Sequence, residues 1–377
     1  MITRRRFSQS VTSLALVGGT PWSRAESEKI VLGQSAPITG PAAQLGIQFH
    51  AGARVAFDQA NGLGGVAGRL IDLKILDDGY EPDRCIENTR KFIDDDVFAL
   101  FGYLGTPTTL AALPIATKAK IPLVAPLTGA MGLRNPFNRY AFHIRASYND
   151  ETGLIVKQLT NLGLRRIAVF YQNDAYGKAG LDGVMLALTA LGLQPVATAT
   201  VERNSVDVAK AVHTISSANP EAVVQISAYK SCAAFIRAAR EVGYGGLFYN
   251  VSFVGTQALA DELGKAGAGV VITQVVPSPY VLSHPISREF AEAIRQVGGG
   301  QVKANFSSME GYIAGKVMLE GLHKAAGHGG REGFISAMES LSEANVGGFK
   351  VSFSRTDHVA SSYVELALLT GDGKVRS

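Results

Sequence analysis

Two clusters of hydroxyl-bearing and small residues stand where a chain could hold an anion: Thr106-Pro107-Thr108-Thr109 and Thr128-Gly129-Ala130. Each follows a short apolar run and is read as opening a helix. A helix N-terminus presents unpaired N–H groups and a partial positive charge, so two such ends converging would bind a carboxylate. Threonine hydroxyls would add donors, and Gly129 would let a bound group approach the backbone. Plain N-capping by threonine is the competing account of each cluster taken alone.

Motifs for covalent or cofactor chemistry do not assemble. Gly62-Leu63-Gly64-Gly65-Val66-Ala67 resembles a dinucleotide fingerprint, but it follows a helical segment and precedes a strand, the reverse of what phosphate binding requires. It reads as a turn. There is no G-x-x-x-x-G-K-[ST], H-E-x-x-H, C-x-x-C or G-x-S-x-G run. The 7 histidines are scattered without metal-ligand spacing. Asp94-Asp95-Asp96 reads as an exposed acidic helix end and His143 as an interior histidine. The expectation is a protein that is not an enzyme and carries no cofactor or metal.

The elements that position these residues follow from pattern. From Lys29 onward short apolar strands alternate with amphipathic helices. Candidate strands are residues 29–36, 70–77, 99–104, 121–126, 140–145, 166–172, 194–201, 222–227, 247–252 and 269–276. Runs such as Ile167-Ala168-Val169-Phe170-Tyr171 are apolar throughout, as in a strand covered on both faces, hence a parallel sheet. In residues 208–217, Val208, Ala211, Val212 and Ile215 line one helix face. The alternation predicts an α/β fold with two doubly wound parallel-sheet lobes, dividing near residue 147. Ligands of open α/β sheets bind beyond the carboxyl ends of the strands, so two facing lobes would share one cleft.

Composition sets the outer bounds. With 46% hydrophobic and 18% charged residues the chain belongs with soluble globular proteins. A net charge of +4 without a basic, aromatic-interleaved stripe argues against nucleic-acid binding. After the N-terminus no apolar run approaches the ~18 residues of a membrane helix, so no membrane insertion of the mature chain is expected. Residues 1–25 read as an export signal: Thr3-Arg4-Arg5-Arg6-Phe7, an apolar stretch, then Ser23-Arg24-Ala25. The Thr-Arg-Arg-x-Phe core resembles a twin-arginine signal, with an ordinary secretory signal as the alternative. Cys85 and Cys232 fall in different lobes and read as separate buried thiols.

An ordered series of segments carries a resemblance. It runs through Gly33-Gln34-Ser35-Ala36-Pro37-Ile38-Thr39-Gly40, Asn61-Gly62-Leu63-Gly64-Gly65, Leu76-Asp77-Asp78 and Phe101-Gly102-Tyr103-Leu104-Gly105-Thr106. It continues through Ala125-Pro126-Leu127-Thr128-Gly129-Ala130, Asp174-Ala175-Tyr176-Gly177 and Ser308-Met309-Glu310-Gly311-Tyr312. The series resembles the type I periplasmic binding proteins of ABC transporters, in the Leu/Ile/Val-binding group, over residues 29–374.

That resemblance implies three crossover strands and a periplasmic solute-binding role. A small molecule, an amino acid or related carboxylate or amide, would be captured by lobe closure and delivered to an ABC transporter permease. It implies lobe 1 at residues 29–146 plus 277–348 and lobe 2 at 147–276 plus 349–377. The matched threonine clusters then read as a ligand site, with Thr106, Thr108, Thr128, Gly129 and Ala130 at the carboxylate. Tyr176, Tyr229 and Phe253 are placed at second-lobe strand ends to close over it. An acid that would pair with a ligand ammonium falls at Ser252, so Asp174 or Glu310 compensates or the ligand has no ammonium. A first-lobe cysteine staple is also missing, its positions falling near Gly79 and at Gly105. A sensory receptor domain of the same fold, feeding a signalling partner, is the alternative function.

Overall fold

The computed structural model describes residues 29–327 and 329–377, so the N-terminal signal read from the sequence lies outside the described residues. The first half holds β1 (Ile30–Ala36), α1 (Ala43–Gly62), β2 (Ile71–Asp77), α2 (Pro82–Asp94) and β3 (Ala99–Phe101). It continues with α3 (Thr106–Lys118), β4 (Leu123–Val124) and β5 (Ala141–Phe142). These strands form one parallel sheet in the order β2-β1-β3-β4-β5.

The chain then crosses and repeats the pattern with α4 (Tyr148–Asn161), β6 (Ile167–Gln172), α5 (Ala175–Thr189), β7 (Ala197–Val201) and α6 (Ala209–Ser217). β8 (Ala222–Ile226), α7 (Tyr229–Glu241), β9 (Leu247–Asn250), α8 (Thr256–Leu263) and β10 (Val271–Gln274) follow. β6 is buried almost throughout because helices cover both faces of its sheet. The chain next returns to the first sheet. α9 (Pro285–Val297) and α10 (Phe306–Ala325) pack on α1, and α11 (Gly330–Glu339) packs on α10.

β11 (Ala344–Val346) and β12 (Phe349–Val351) form a hairpin of their own. Residues 349–358, assigned to the second lobe in the sequence reading, stay with the first sheet: Phe353 and His358 both pack on Phe142. β13 (Glu365–Leu369) and β14 (Val375–Arg376) then join the second sheet antiparallel, giving β14-β13-β10-β9-β8-β6-β7.

Three segments thus pass between the sheets. Two of them are hydrogen-bonded to each other, His143 N–H to His358 O at 2.8 Å and Ala360 N–H to His143 O at 2.8 Å. Cys85 lies on α2 and Cys232 on α7, both buried and free.

Candidate functional site

The ends of β3 and β4 are neighbours, tied by the Leu104–Leu127 bridge, so their following loops stand side by side. That adjacency brings Thr106 and Thr128 together, with hydroxyl oxygens 2.7 Å apart. Thr106 is the first residue of α3 and is buried. Gly105 before it has φ +97°, a left-handed conformation that suits glycine and turns the strand into the helix.

The other threonine-cluster residues divide. Thr108 spends its hydroxyl proton on the Leu104 and Gly105 carbonyls, so it braces the first turn of α3 and offers no donor. The segment after Thr128 was expected to open a helix. It opens only a single 3₁₀ turn, Met131–Leu133, too short for an appreciable dipole. The Ala130 N–H is bound to Thr128 Oγ1 at 3.2 Å, so it too is occupied. One helix end supports the threonine pair, not two.

The bare backbone at Gly129 makes room for a neighbour. A Cβ there would meet Tyr148 N at 2.6 Å, while the Gly129 carbonyl accepts the Tyr148 N–H at 2.8 Å. The bare backbone lets Tyr148 stand over the threonines. Its hydroxyl approaches the Thr128 side chain and the Gly129 N–H, yet is buried without completing a hydrogen bond.

Tyr148 belongs to a chain of rings. Tyr148 and Tyr176 centroids are 5.4 Å apart, Tyr176 and Phe253 4.7 Å, and Phe253 and Tyr80 6.0 Å. Tyr80 comes from the first lobe, after β2, while Tyr176 and Phe253 come from the second. Tyr80 Oη also accepts from Gln172 Nε2 at 3.4 Å, linking the lobes. All four rings are buried, so the cleft is shut. Burial pushes the Tyr148 hydroxyl up to about 12 and those of Tyr80 and Tyr176 well above their ordinary value. They stay neutral donors, and the Tyr176 hydroxyl, like that of Tyr148, has no partner.

Tyr229 reaches the interface at another point, its hydroxyl near the Gln44 N–H of the first lobe. Asp174 caps α5, accepting from Tyr176 N at 2.9 Å and Gly177 N at 3.3 Å. Its Oδ2 accepts from Gln172 Nε2 at 2.6 Å, and Arg203 stands 3.4 Å away.

Beside the rings lies a buried charge cluster. Arg145, in the first crossover, is 3.4 Å from Glu151 and 3.6 Å from Glu310, and it donates to Ser252 Oγ. Glu151 Oε2 also accepts from Ser252 N at 2.7 Å and Thr273 Oγ1 at 2.5 Å. Ser252 therefore faces a guanidinium. Burial raises the Glu310 carboxyl from 4.5 to about 7, against the pull of Arg145.

Tyr80, Tyr148, Arg145 and Glu151 escape the sequence reading. The box Ser147-x-x-Asp150 marks Tyr148 as the first residue of a helix just past the crossover, a usable signal. For Tyr80 the signal is the Asp-Asp-Gly turn that precedes it. Nothing in periodicity marks Arg145.

Comparison with known proteins agrees with the architecture. A family model described as periplasmic binding protein matches residues 29–374. The Leu/Ile/Val-binding protein homolog 7 of Brucella abortus (strain 2308) is 28% identical over 80% of this chain and 78% of its own length. A crystal structure of a possible leucine/isoleucine/valine-binding protein from Rhodopirellula baltica superposes with TM-score 0.88 and 32% identity, covering 93% of this chain and 96% of that one. A substrate-binding periplasmic protein from Ralstonia solanacearum gives TM-score 0.87 and 32% identity over 92% and 99%. With its paired parallel-sheet lobes, triple crossover and full-length family match, the chain belongs to the type I periplasmic binding proteins.

Proposed function

We propose that this chain is a periplasmic carrier that encloses a small carboxylate, an amino acid or a related acid or amide, and presents its closed form to an ABC importer. The observation that carries the reading is the Thr106–Thr128 hydroxyl pair lying beneath an unpartnered Tyr148 hydroxyl in a closed, ring-lined cleft. A carboxylate there gains one threonine proton, the other being spent within the pair, together with the Tyr148 hydroxyl, the Gly129 N–H and the N-terminus of α3. In this reading the lobes are residues 29–146 plus 277–358 and residues 147–276 plus 359–377, moving about the three crossovers. Export runs through the twin-arginine-like N-terminus. No helix among the described residues is long and apolar enough to cross a membrane, which suits a carrier released on the far side. The names of relatives support the amino-acid class and a binding rather than catalytic role.

The test is a thermal-shift and calorimetric screen of the exported form against amino acids, organic acids and their amides. A ligand at about 100 times its Kd adds ~2.7 kcal/mol of stability, a shift of several degrees or less in a chain of this size. Thr128→Val is expected to weaken the bound acid roughly tenfold and also to lower the unliganded melting transition, by about 1–3 kcal/mol, because it leaves Thr106 Oγ1 and the Ala130 N–H without their buried partner. If no acid or amide moves the transition, the reading is wrong.

A further inference from the structure

Resting on the carboxylate reading, a count of charges narrows the ligand. The buried cluster beside the rings sets two carboxylates, Glu151 and Glu310, against one guanidinium, Arg145. Charges taken out of water without balance are strongly disfavoured, so the closed cleft is one cation short. The rise of the Glu310 carboxyl to about 7 on burial reflects the same shortfall.

The shortfall rests on one residue. Glu151 is held by Arg145, the Ser252 N–H and Thr273 Oγ1. Asp174 is held by two helix N–H groups, Gln172 and Arg203. Asp78 accepts from Ser35 Oγ at 2.7 Å and Tyr80 N at 2.9 Å. Glu310 is 9% exposed, and its approach to Arg145 Nε, at 3.6 Å, is too long for a hydrogen bond. Among the described residues no group donates a hydrogen bond to its carboxylate. Arg145 Nε completes no hydrogen bond either.

This carboxylate belongs to the same corner of the cleft as the threonine pair. Arg134 Nη2 donates to the Thr128 carbonyl at 3.4 Å and to the Arg145 carbonyl at 3.0 Å, so the backbones of Thr128 and Arg145 run side by side. Glu310 comes from α10 in the first lobe, against Arg145, while Ser252 meets that guanidinium from the second lobe. Ser252 offers a hydroxyl where the resemblance implies an acid. We infer that the ligand is an amino acid, with its carboxylate at Thr106 and Thr128 and its ammonium on Glu310, which supplies from the first lobe the negative charge missing at Ser252. Both charged ends of the ligand then rest on first-lobe side chains.

Two matched pairs test this, the members of each differing by the ammonium alone: leucine with 4-methylpentanoate, and 4-aminobutyrate with butyrate. Each is titrated calorimetrically into the mature chain. In at least one pair the amino member is expected to bind roughly ten- to a hundredfold tighter than its partner. Glu310→Gln is expected to erase that advantage and to leave the affinity for the desamino acid in place. That variant keeps Arg145 and Glu151 as a balanced pair, so its fold is retained. Glu310→Asp, which restores the charge on a shorter arm, is expected to recover part of the advantage. Desamino acids that bind as tightly as their amino partners overturn the inference and leave the carboxylate reading standing. Glu310→Gln weakening both members of a pair equally, or neither, overturns it as well, because Glu310 then does not meet the ammonium. Silence from all four probes overturns the inference, and the carboxylate reading falls with it only if the broader acid and amide screen is silent too.

Discussion

The ring of Tyr80 lies across the α-carbon of Gly105, so close that a Cβ there would meet Tyr80 Cε2 at 2.2 Å. Near these two positions the family resemblance implied a cysteine staple. An aromatic ring packed on bare backbone stands there, and it reaches further, to Phe253 and Gln172 of the other lobe. Tyr80 itself sits at φ 65°, unusual for a bulky residue and a mark of a constrained site. One loop therefore shapes the first lobe and its contact with the second.

Gly105→Ala should be costly on two counts: a left-handed backbone and a collision with a buried ring that has little room to retreat. The expected loss is about 2–4 kcal/mol in denaturant unfolding. Adding Tyr80→Ala relieves only the collision, so the double variant should recover about 1–3 kcal/mol of coupling. Strict additivity of the two substitutions would mean the contact is not under compression.

Glu151→Gln isolates the buried charge cluster. Arg145 and Glu151 are 2% and 0% exposed at the side chain and 3.4 Å apart. Removing one charge leaves the other poorly compensated away from water, at roughly 3–5 kcal/mol. The pair Arg145→Met with Glu151→Leu should be milder than Glu151→Gln, because neither of those charges is then stranded and Glu310, which loses Arg145, is already raised by burial toward its neutral form. A Glu151→Gln chain as stable as the parent in urea would show that solvent reaches this cluster.

Much of this architecture is legible in the sequence because burial on both faces leaves an apolar run, as at Ile167 to Phe170, and because turns carry glycine and asparagine. Tyr176 and Phe253 are legible as strand-end aromatics by resemblance. Arg145 is not, because a buried guanidinium is tolerable only through Glu151, Glu310 and Ser252, which lie far away along the chain. The expected second helix end at Thr128 fails for a local reason. Residues 131–133 close one tight turn, and the chain then enters the Asn135–Pro136 segment, where a helix cannot continue.

Glu310 should make stability depend on pH in a defined sense. Its folded carboxyl titrates at about 7 against 4.5 for the free group, with burial the main cause. Its stabilising contribution is complete below pH 4.5 and is lost as the pH rises through 7. The amount is on the order of 3 kcal/mol. His143 and His50 act in the opposite direction, since burial lowers them to about 3 and about 4. A difference curve separates these effects: wild type minus Glu310→Gln should fall from pH 4.5 to 7 and then level. A difference that stays flat over that window would show that Glu310 is already ionised in the fold.

Beside Tyr80, the rim of the cleft is fastened by Glu81. Its carboxylate accepts from Arg203 Nη2 at 2.9 Å and from Asn204 Nδ2 at 2.7 Å, and Asn204 also reaches the Gly79 carbonyl at 3.1 Å. These bonds join the loop after β2 to the loop after β7, so they exist only while the lobes are together. The groups are partly exposed, which limits a bond of this kind to about 1 kcal/mol each and makes it sensitive to salt. Glu81→Ala should therefore act on the open–closed balance more than on folding. In solution scattering the unliganded variant should show a larger radius of gyration than the parent. Ligand affinity should drop about three- to tenfold through faster release, because closure contributes less to the bound state. Raising the ionic strength of the parent protein should move both quantities the same way. If the variant keeps the parent's radius and release rate, the rim contacts follow closure without stabilising it, and the rings and the Arg145 cluster hold the lobes together unaided.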